Sequence, residues 1–231
     1  MSIILITGAN KGLGHEGARR LVEAGHTVWM GARDPVRGRV AAQQVGGTYV
    51  QLDVTDQASV DAAAATIQER DGHLDVLVNN AGAWGGQIGV EGVTGDAAAA
   101  ELDVNVVGVV RVTQAMLHLL QKSANPVVVN ASSGLGSFGT VLNPERGESH
   151  YATIIYSASK AAVSMLTVQY AKALPNIKFN VIDPGFSATD MTGGSGGQSV
   201  TQGTEAMVRM ATLGSDGPTG TFVEAAGPLP W

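Results

Sequence analysis

The sequence predicts an α/β fold: one domain with a doubly wound parallel sheet of about seven strands and helices on both faces. Short, continuous apolar runs such as Ile3-Ile4-Leu5-Ile6 are typical of strands buried on both faces of such a sheet. These runs alternate with segments of helical periodicity along the chain. A length of 231 residues, 44% of them apolar, suits a single domain with a substantial core.

Composition and charge exclude several classes of function. A net charge of −6 without any basic block argues against nucleic acid as a partner. The chain has no cysteine, which excludes disulfides and cysteine-ligated metals, and we predict no metal site. The N-terminal apolar run is too short to span a membrane and leads directly into a glycine turn. We therefore expect a cytoplasmic protein that binds neither a membrane nor nucleic acid.

The first apolar run ends in a glycine-rich loop that leads into a helix. Gly8 can make the tight turn, while Gly12 and Gly14 let the backbone approach a pyrophosphate at the positive end of the helix. Apolar Ala18 and Leu21 mark the buried face of that helix. The loop residues that we expect to contact a dinucleotide are Gly8, Asn10, Lys11, Gly12, Leu13 and Gly14.

A second strand is predicted at 26–31, and the residues after it bear on the choice of dinucleotide. An acidic residue here binds the ribose hydroxyls of NAD, whereas a basic residue accommodates the 2′-phosphate of NADP. Arg33 comes first and Lys11 supplies a second cation, so the pattern favours NADPH. Asp34 leaves the alternative open, because a small shift of the chain would present its carboxylate instead. A solvated loop would also explain these charges.

The third and fourth strands, at 48–52 and 74–78, also end in polar residues. Asp53 can accept the adenine amino group, with the Val54 amide nearby, or it can cap the helix that follows. The fourth strand ends in Asn79-Asn80-Ala81-Gly82, at the edge where ligands lie in open parallel sheets. These asparagines can also link neighbouring strands. We predict cofactor contacts at Asn80, Ala81 and Gly82.

A helix predicted at about 97–121 carries Asn105 within an apolar stretch. A buried amide without partners costs about 1–3 kcal/mol. Asn105 is therefore either a satisfied core amide or part of a polar network.

The fifth strand, at 126–130, runs into Ser132 and Ser133 at the same sheet edge as the glycine loop. A polar connection follows, and a helix is predicted from 157 to about 174. Tyr156 and Lys160 are four residues apart, so on a helix they share one face.

The sixth strand, at 177–182, ends at Asp183-Pro184-Gly185, with Thr189 beyond it. The glycine-rich run that follows cannot hold itself rigid, so the loop at about 186–203 is a candidate flexible lid. A last helix and a last strand are predicted at 204–213 and 221–223.

In their order along the whole chain, these motifs resemble the short-chain dehydrogenase/reductase family. The motifs that carry the resemblance are Thr7-Gly8-x-x-x-Gly12-x-Gly14, Asn79-Asn80-Ala81-Gly82, Asn105, Ser133, Tyr156-x-x-x-Lys160 and Pro184-Gly185. Within the family, the features most similar to NADPH-dependent carbonyl reductases are Asn10-Lys11, Ala32-Arg33-Asp34 and the long connection from Ser133 to Tyr156. The resemblance implies a Rossmann-type domain over 1–231, with cofactor binding in about 1–125 and catalysis and substrate binding in about 126–231.

The resemblance implies reduction of ketones or aldehydes with NADP(H) as the cofactor. The implied catalytic residues are Asn105, Ser133, Tyr156 and Lys160. Tyr156 would protonate the carbonyl oxygen. Lys160 and the positive charge of the oxidised nicotinamide would together lower the pKa of its phenol from about 10. Ser133 would hold the substrate oxygen. We prefer Ser133 to Ser132 for this role because Gly136 follows Ser133 at the family spacing. Asn105 would anchor a water that links Lys160 to solvent.

The family pattern also implies contacts to the nicotinamide end of the cofactor. Tyr156 and Lys160 would lie at the nicotinamide ribose, and Pro184, Gly185 and Thr189 would contact the carboxamide. An apolar set suited to aryl or medium-chain ketones would form the substrate pocket: Trp84, Leu135, Phe138, Tyr151, Phe186 and Met191.

Three other activities compete with a carbonyl reductase. A 3-ketoacyl thioester reductase needs basic residues at the pocket mouth, where the sequence offers only Arg146 between Glu145 and Glu148. An alcohol dehydrogenase uses the same chemistry in reverse. A non-catalytic NADPH sensor does not need the tyrosine and lysine that this chain retains. For the assembly, the resemblance implies a homodimer or homotetramer.

Overall fold

The computed structural model describes residues 1–86 and 90–231. Seven parallel strands and one short antiparallel strand form a single sheet, in the order β3-β2-β1-β4-β5-β6-β7-β8. The strands are β1 Ile3–Thr7, β2 Thr27–Ala32, β3 Thr48–Gln51, β4 Val76–Asn79, β5 Val127–Ala131, β6 Lys178–Ile182, β7 Phe222–Glu224 and β8 Gly227–Pro228. The predicted doubly wound sheet is confirmed. The prediction lacked β8, which has two residues and carries no apolar run.

The strand order reverses direction between β1 and β4. From β1 the chain builds outward through β2 to β3, then crosses back so that β4 pairs with the other side of β1. The loops after β1 and β4 therefore diverge at the carboxyl ends of adjacent strands. Such a switch point opens a crevice that binds ligands in open α/β sheets.

Helices cover both faces of the sheet, and the central strands are buried from both sides. The helices are α1 Gly12–Glu23, α2 Pro35–Val45, α3 Gln57–Asp71, α4 Gly95–Leu102, α5 Gly108–Leu120, α6 Phe138–Val141, α7 Ile154–Ala173, α8 Val200–Gly203 and α9 Glu205–Ala211. One core cluster joins β1 to α1 and α9, through residues such as Ile4, Leu21 and Met207. The other joins Leu5 on the opposite face of β1 to α3 and α5, for example through Met116.

The predicted helix at 97–121 contains a π-helical turn at Asp103–Val107, between α4 and α5. Apolar periodicity alone does not reveal such a turn, because a single wide turn leaves the flanking pattern helical. Asn105 lies in the middle of it. π-Turns within α-helices occur frequently at functional sites.

Two other predicted elements have different boundaries. α7 begins at Ile154, so Tyr156 lies inside the first helical turn instead of before the helix. The predicted helix at 204–213 corresponds to the shorter α9, and a separate one-turn helix, α8, comes directly before it. In the described part of the chain, no helix has both the length and the apolar character needed to cross a bilayer.

Candidate active site

A cleft of about 460 Å³ lies at the carboxyl ends of β1, β2 and β4. Its lining includes Arg33 and Asp53, which follow β2 and β3, and Trp84 in the loop after β4. The residues predicted to bind the cofactor that line it are Gly8, Asn10, Lys11, Gly12, Leu13, Gly14, Arg33, Asp53, Val54, Asn80, Ala81, Gly82 and Thr189. Pro184, Gly185, Tyr156 and Lys160 do not line this cleft.

The glycine loop has no space for side chains on its β4 side. Gly8 has φ +64°, and a Cβ there would lie 2.9 Å from the Ala81 Cα. A Cβ on Gly14 would lie 2.6 Å from both the Asn80 Nδ2 and the Gly8 carbonyl oxygen. Gly8 and Gly14 are therefore required for close packing of the loop against the segment after β4. The first residues of α1 line the cleft, and a helix N-terminus in this position matches the requirements of a pyrophosphate.

The asparagines after β4 hold strands together. The Asn80 amide donates to the Thr7 carbonyl oxygen at 2.9 Å, and the Thr7 hydroxyl accepts from the backbone N–H groups of Asn80 and Ala81. Asn79 donates to Asn130 on β5 at 2.9 Å. The Asn80 side chain therefore stabilises the wall of the cleft. Both asparagines link neighbouring strands, as the second of the two predicted roles requires.

The two charges after β2 have different surroundings. The Asp34 carboxylate caps α2 by accepting from the N–H groups of Val36 and Arg37, and it also accepts from the Arg37 guanidinium at 2.9 Å. Arg37 thereby lowers the pKa of Asp34. Arg33, by contrast, lines the cleft. The Asp34 carboxylate, which left the choice between NAD and NADP open, is therefore already bound by residues of its own helix.

Lys11 and Asp53 also have partners in the structure. Lys11 forms an exposed ion pair with Asp190 at 2.9 Å, which links the glycine loop to the 186–203 segment. Asp53 accepts from the backbone and hydroxyl of Thr55, while the cap of α3 is Asp56. Asp53 therefore lies in the cleft wall and does not cap the helix.

Tyr156, Lys160 and Ser133 come together beside β5. The Lys160 Nζ lies 5.5 Å from the centre of the Tyr156 ring and donates to the Ala131 carbonyl oxygen at 2.8 Å. The Ser133 hydroxyl accepts from the Leu135 N–H at 3.2 Å, and it acts to lower the pKa of the Tyr156 phenol. Ser132, in contrast, is buried and donates to the Lys160 carbonyl oxygen at 2.9 Å, so its hydroxyl serves packing against α7.

The Asn105 side chain holds the loop after β4. Its Oδ1 accepts from the Ala83 N–H at 2.7 Å, and its amide donates to the Ala83 carbonyl oxygen and to the Ser159 hydroxyl. Both amide hydrogens are therefore used, and only Oδ1 retains acceptor capacity. A Cβ on Gly82 would lie 3.5 Å from this Oδ1 and 3.6 Å from the Lys160 Nζ, so the two atoms face each other across that glycine.

The pKa of Tyr156 is raised in the protein without a cofactor. Burial raises the pKa of its phenol, the Asp183 charge raises it further, and the Ser133 hydroxyl offsets part of this effect. Burial lowers the pKa of Lys160 to about 8. The expected lowering of the tyrosine pKa also depends on the positive charge of the oxidised nicotinamide, so it stays a prediction for the protein with its cofactor bound.

Only part of the predicted substrate set lies at the cleft. Trp84 lies with its ring centre 6.4 Å from that of Tyr156, and Trp84 and Met191 line the cleft. Phe138, Tyr151 and Phe186 are 70%, 56% and 56% exposed and, like Leu135, do not line it. Their role in a substrate pocket stays a prediction.

The segment after β6 is fixed by its own contacts. Gly185 has φ +64°, and the Asp183 carboxylate accepts from its N–H at 2.8 Å. Within the predicted lid, a β-bridge joins Ser187 to Gln198. A Cβ on Gly12 would lie 3.6 Å from the Thr189 side chain, which brings Thr189 to the glycine loop.

Sequence reasoning missed two buried acidic residues near Tyr156, Glu101 and Asp183. Glu101 is four residues before Asn105, and the Asp183 carboxylate lies at the end of β6. An acidic residue on an apolar helical face, or directly after a buried strand, is the signal that could have identified them.

Comparisons with known proteins agree with this geometry. The family model of the short chain dehydrogenases matches residues 2–198. The short-chain dehydrogenase anuI of Penicillium roqueforti is 34% identical over 92% of this chain and 89% of that protein. The (−)-isopiperitenone reductase of Mentha piperita is 31% identical over 94% of each chain. The carbonyl reductase Sniffer of D. melanogaster superposes with a TM-score of 0.88 at 27% identity, over all of both chains. The NADPH-bound carbonyl reductase from chicken fatty liver superposes with a TM-score of 0.88 at 26% identity, over 100% of this chain and 99% of that one.

Proposed function

The chain belongs to the short-chain dehydrogenase family, whose members are oxidoreductases, and we propose that it reduces ketones or aldehydes to alcohols with NADPH. The observation that carries the proposal is the meeting of Tyr156, Lys160 and Ser133 next to a cleft with a glycine cradle. A phenol, an ammonium and a hydroxyl near one another are the groups needed to protonate a carbonyl oxygen during hydride transfer.

In this proposal Tyr156 is the general acid. When bound, the reduced nicotinamide supplies the hydride for the carbonyl carbon. Tyr156 donates its proton to the carbonyl oxygen, and the high pKa of the phenol keeps that proton in place until negative charge develops on the substrate. The Ser133 hydroxyl donates to the same oxygen and stabilises the developing charge.

Lys160 and Asn105 support the acid. The Lys160 ammonium stabilises the phenolate that remains after proton transfer, because it lies near the ring and is shielded from solvent. Asn105 holds Ala83 and Ser159 and so fixes the loop after β4 against α7. The space between the Asn105 Oδ1 and the Lys160 Nζ is where a proton relay to solvent would pass.

The preference for NADPH rests on Arg33. It lines the cleft where the adenosine ribose is expected, and the neighbouring Asp34 is occupied by the helix cap and Arg37. A guanidinium with free donors binds a phosphate with paired hydrogen bonds. Lys11 is a second candidate, although its ammonium pairs with Asp190 in the ligand-free protein.

Three exposed aromatic side chains favour bulky apolar ketones as substrates. Phe138, Tyr151 and Phe186 expose aromatic surface that a flat or polycyclic substrate would cover.

The alignment with the isopiperitenone reductase extends over 298 positions, whereas this chain has 231 residues, so that reductase contains segments that this chain lacks.

The competing thioester reductase is less favoured by the charges at the mouth. The Arg146 guanidinium contacts Glu148 at 2.9 Å and Glu224 at 3.2 Å. A guanidinium that is shared between two carboxylates offers little attraction to an acidic carrier protein.

The test is the oxidation of NADPH and NADH by the pure protein with aryl ketones, terpenoid ketones and aliphatic aldehydes. We expect consumption of NADPH with the bulky ketones, faster than that of NADH. A faster reaction with NADH would overturn the cofactor assignment. Tight binding of NADPH without turnover of any carbonyl would favour the sensor.

A further inference from the structure

The glycine loop and the segment after β6 are joined by an exposed ion pair. The Lys11 Nζ lies 2.9 Å from the Asp190 Oδ2, and the two side chains are 59% and 74% exposed. Lys11 belongs to the loop after β1, whereas Asp190 begins a 3₁₀ turn at Asp190–Thr192. Both residues line the cleft in which a dinucleotide is proposed to bind. A cation and an anion of the protein therefore neutralise each other at the surface of that cleft.

The stability of the fold does not explain this pair. Exposed ion pairs contribute little to folding, because water solvates both charges and two long side chains lose freedom. The 3₁₀ turn is held by other contacts. The Thr192 hydroxyl donates to the Ser187 carbonyl oxygen at 2.8 Å, and the Thr189 N–H donates to the Thr192 hydroxyl at 3.1 Å. The Gly194 N–H closes the turn on the Thr189 carbonyl oxygen at 2.9 Å. The backbone of Asp190 would thus keep its place without the ion pair.

The flanks of the 3₁₀ turn are also anchored independently of the pair. On one side a β-bridge joins Ser187 to Gln198, and on the other the Thr201 hydroxyl donates to the Glu16 carboxylate on α1 at 2.9 Å. Among the residues that the structure describes, the bond from Lys11 is the only hydrogen bond between the turn and the glycine loop. The ion pair can therefore open while both anchors stay in place.

The Asp190 carboxylate opposes the binding of a dinucleotide in two ways. It occupies the Lys11 ammonium, and its own negative charge lies where phosphate groups would enter. Lys11 lowers the pKa of Asp190, so this carboxylate is ionised at neutral pH. A phosphate group carries more negative charge and more acceptor oxygens than a carboxylate. It therefore competes effectively for an exposed ammonium, to which lysine contributes a compact point charge.

We propose that Asp190 is an internal competitor of the cofactor: it holds the Lys11 ammonium in the ligand-free protein, and a phosphate group of the dinucleotide takes its place. The inference rests on the proposed function, in which the cleft binds NADPH. The exchange lowers the affinity for the cofactor and so favours cofactor release, a step that limits the turnover of many enzymes. The phosphate that reaches Lys11 is the 2′-phosphate or the pyrophosphate, and the experiment distinguishes these two sources.

The test is a double-variant cycle of cofactor binding, measured by titration calorimetry without a carbonyl substrate. The proteins compared are the wild type, Asp190→Asn, Lys11→Met and the double variant, each titrated with NADPH and with NADH at low salt. The control is Asp216→Asn, which removes the same charge at an exposed position outside the cleft. The effect of Asp190→Asn with Lys11 present, compared with its effect in Lys11→Met, measures how far the cofactor weakens the ion pair.

We expect Asp190→Asn to tighten binding about two- to fivefold when Lys11 is present, the fold-change that corresponds to one exposed ion pair. The gain should be smaller in the Lys11→Met background, and it should decline at high salt because the charges are exposed. Asp216→Asn should leave the affinity unchanged. A gain confined to NADPH identifies the 2′-phosphate as the group that Lys11 receives, and an equal gain for NADH identifies the pyrophosphate.

Weaker binding by Asp190→Asn would overturn the proposal, since the ion pair would then close over the bound cofactor. An unchanged affinity, an equal gain in the Lys11→Met background, or an equal gain in the Asp216→Asn control would also overturn it. Failure of both dinucleotides to bind any of these proteins would overturn this proposal and the proposed function together.

The two proposals are otherwise separable. The expected cycle of binding in a protein that turns over no carbonyl compound would refute the proposed reaction alone. Turnover with NADPH, but without coupling between Lys11 and Asp190 in the binding cycle, would refute the competitor alone.

Discussion

The Asp34 carboxylate is bound by Arg37 at 2.9 Å, three residues further along the chain, on the first turn of α2. This local pair, together with the cap contacts, occupies the acidic group that competes with Arg33 for the adenosine end of a dinucleotide. Because the pair forms within one helical turn, it does not depend on a ligand.

Arg33→Ala should weaken NADPH binding about 10- to 100-fold, the range that a lost charge-assisted hydrogen-bond pair covers. Binding of NADH should change little, because it has no 2′-phosphate. Titration calorimetry with both dinucleotides measures the two effects separately. Arg39→Ala is the matched control, since Arg39 lies over the Tyr49 ring instead of in the cleft. Equal losses for NADPH and NADH would show that Arg33 does not read the phosphate.

Tyr156→Phe should reduce kcat at least about 100-fold, because it removes the proposed acid while keeping the ring. The ring contact with Trp84 and the position of Lys160 should persist, so we expect the dissociation constant of NADPH to stay within about twofold. Steady-state kinetics and calorimetry on the same sample test both parts. Tyr170→Phe is the control for loss of a hydroxyl group, because Tyr170 does not line the cleft and its hydroxyl accepts from the Gln114 side chain. Normal turnover by Tyr156→Phe would contradict the role of Tyr156 as the general acid.

Gly136→Ala should destabilise the fold and impair catalysis together. A Cβ there would lie 2.6 Å from the Lys160 carbonyl carbon and 2.7 Å from the Lys160 Cβ, so α7 must shift outward. Overpacking of this kind costs about 1–3 kcal/mol. Gly147→Ala is the control, because nothing lies within 4 Å of a Cβ at that position. Thermal melts of the two variants give the comparison, and equal Tm values would contradict this packing.

Asp183 should make the protein less stable as the pH rises from about 4 to 6. Burial raises the pKa of its carboxyl to about 6, so the folded protein keeps a proton that the unfolded chain releases near pH 4. Above pH 6 the cost is constant, at roughly 3 kcal/mol for a shift of two units. It is absent below pH 4, where both states are protonated.

The measurement is the difference in unfolding free energy between Asp183→Asn and the wild type across this pH range. Taking the difference cancels carboxyls whose pKa is lowered, such as Glu16 and Asp34, which both proteins share. We expect the variant to gain stability relative to the wild type between pH 4 and 6.5, with a plateau above. A difference that does not depend on pH would contradict the raised pKa.

The sequence predicted the sheet because its strands are marked by strong local signals. Each central strand is a continuous apolar run, and the turn after β1 needs glycine for steric reasons that are visible in the spacing. The short strand β8 has no such run and forms only because β7 is already in place. Local periodicity therefore predicts a strand or helix whose own residues stabilise it, and misses a strand that depends on its neighbour.

The sequence predicted those site residues whose positions follow from helix spacing or from the end of a strand. The spacing of Tyr156 and Lys160 placed both on α7, and the strand ends placed the glycine loop and the serines at one edge. Which serine faces Tyr156, and whether Asp34 or Arg33 faces the cleft, depends on rotations of single residues. Neither has a periodic signal. The charges of Glu101 and Asp183 act through space between distant segments, which no local pattern records.

The π-turn between α4 and α5 has a consequence for insertions and deletions in this helix. Deleting one residue within Asp103–Val107 would restore regular α-helical winding and rotate the preceding segment by about 100° relative to α5. Glu101 would then lose its contact with the Gly85 N–H, while the core contacts of α5 would be retained. Deletion of a single codon would therefore release the loop after β4 in a protein that still folds, whereas most single substitutions in the same stretch would not.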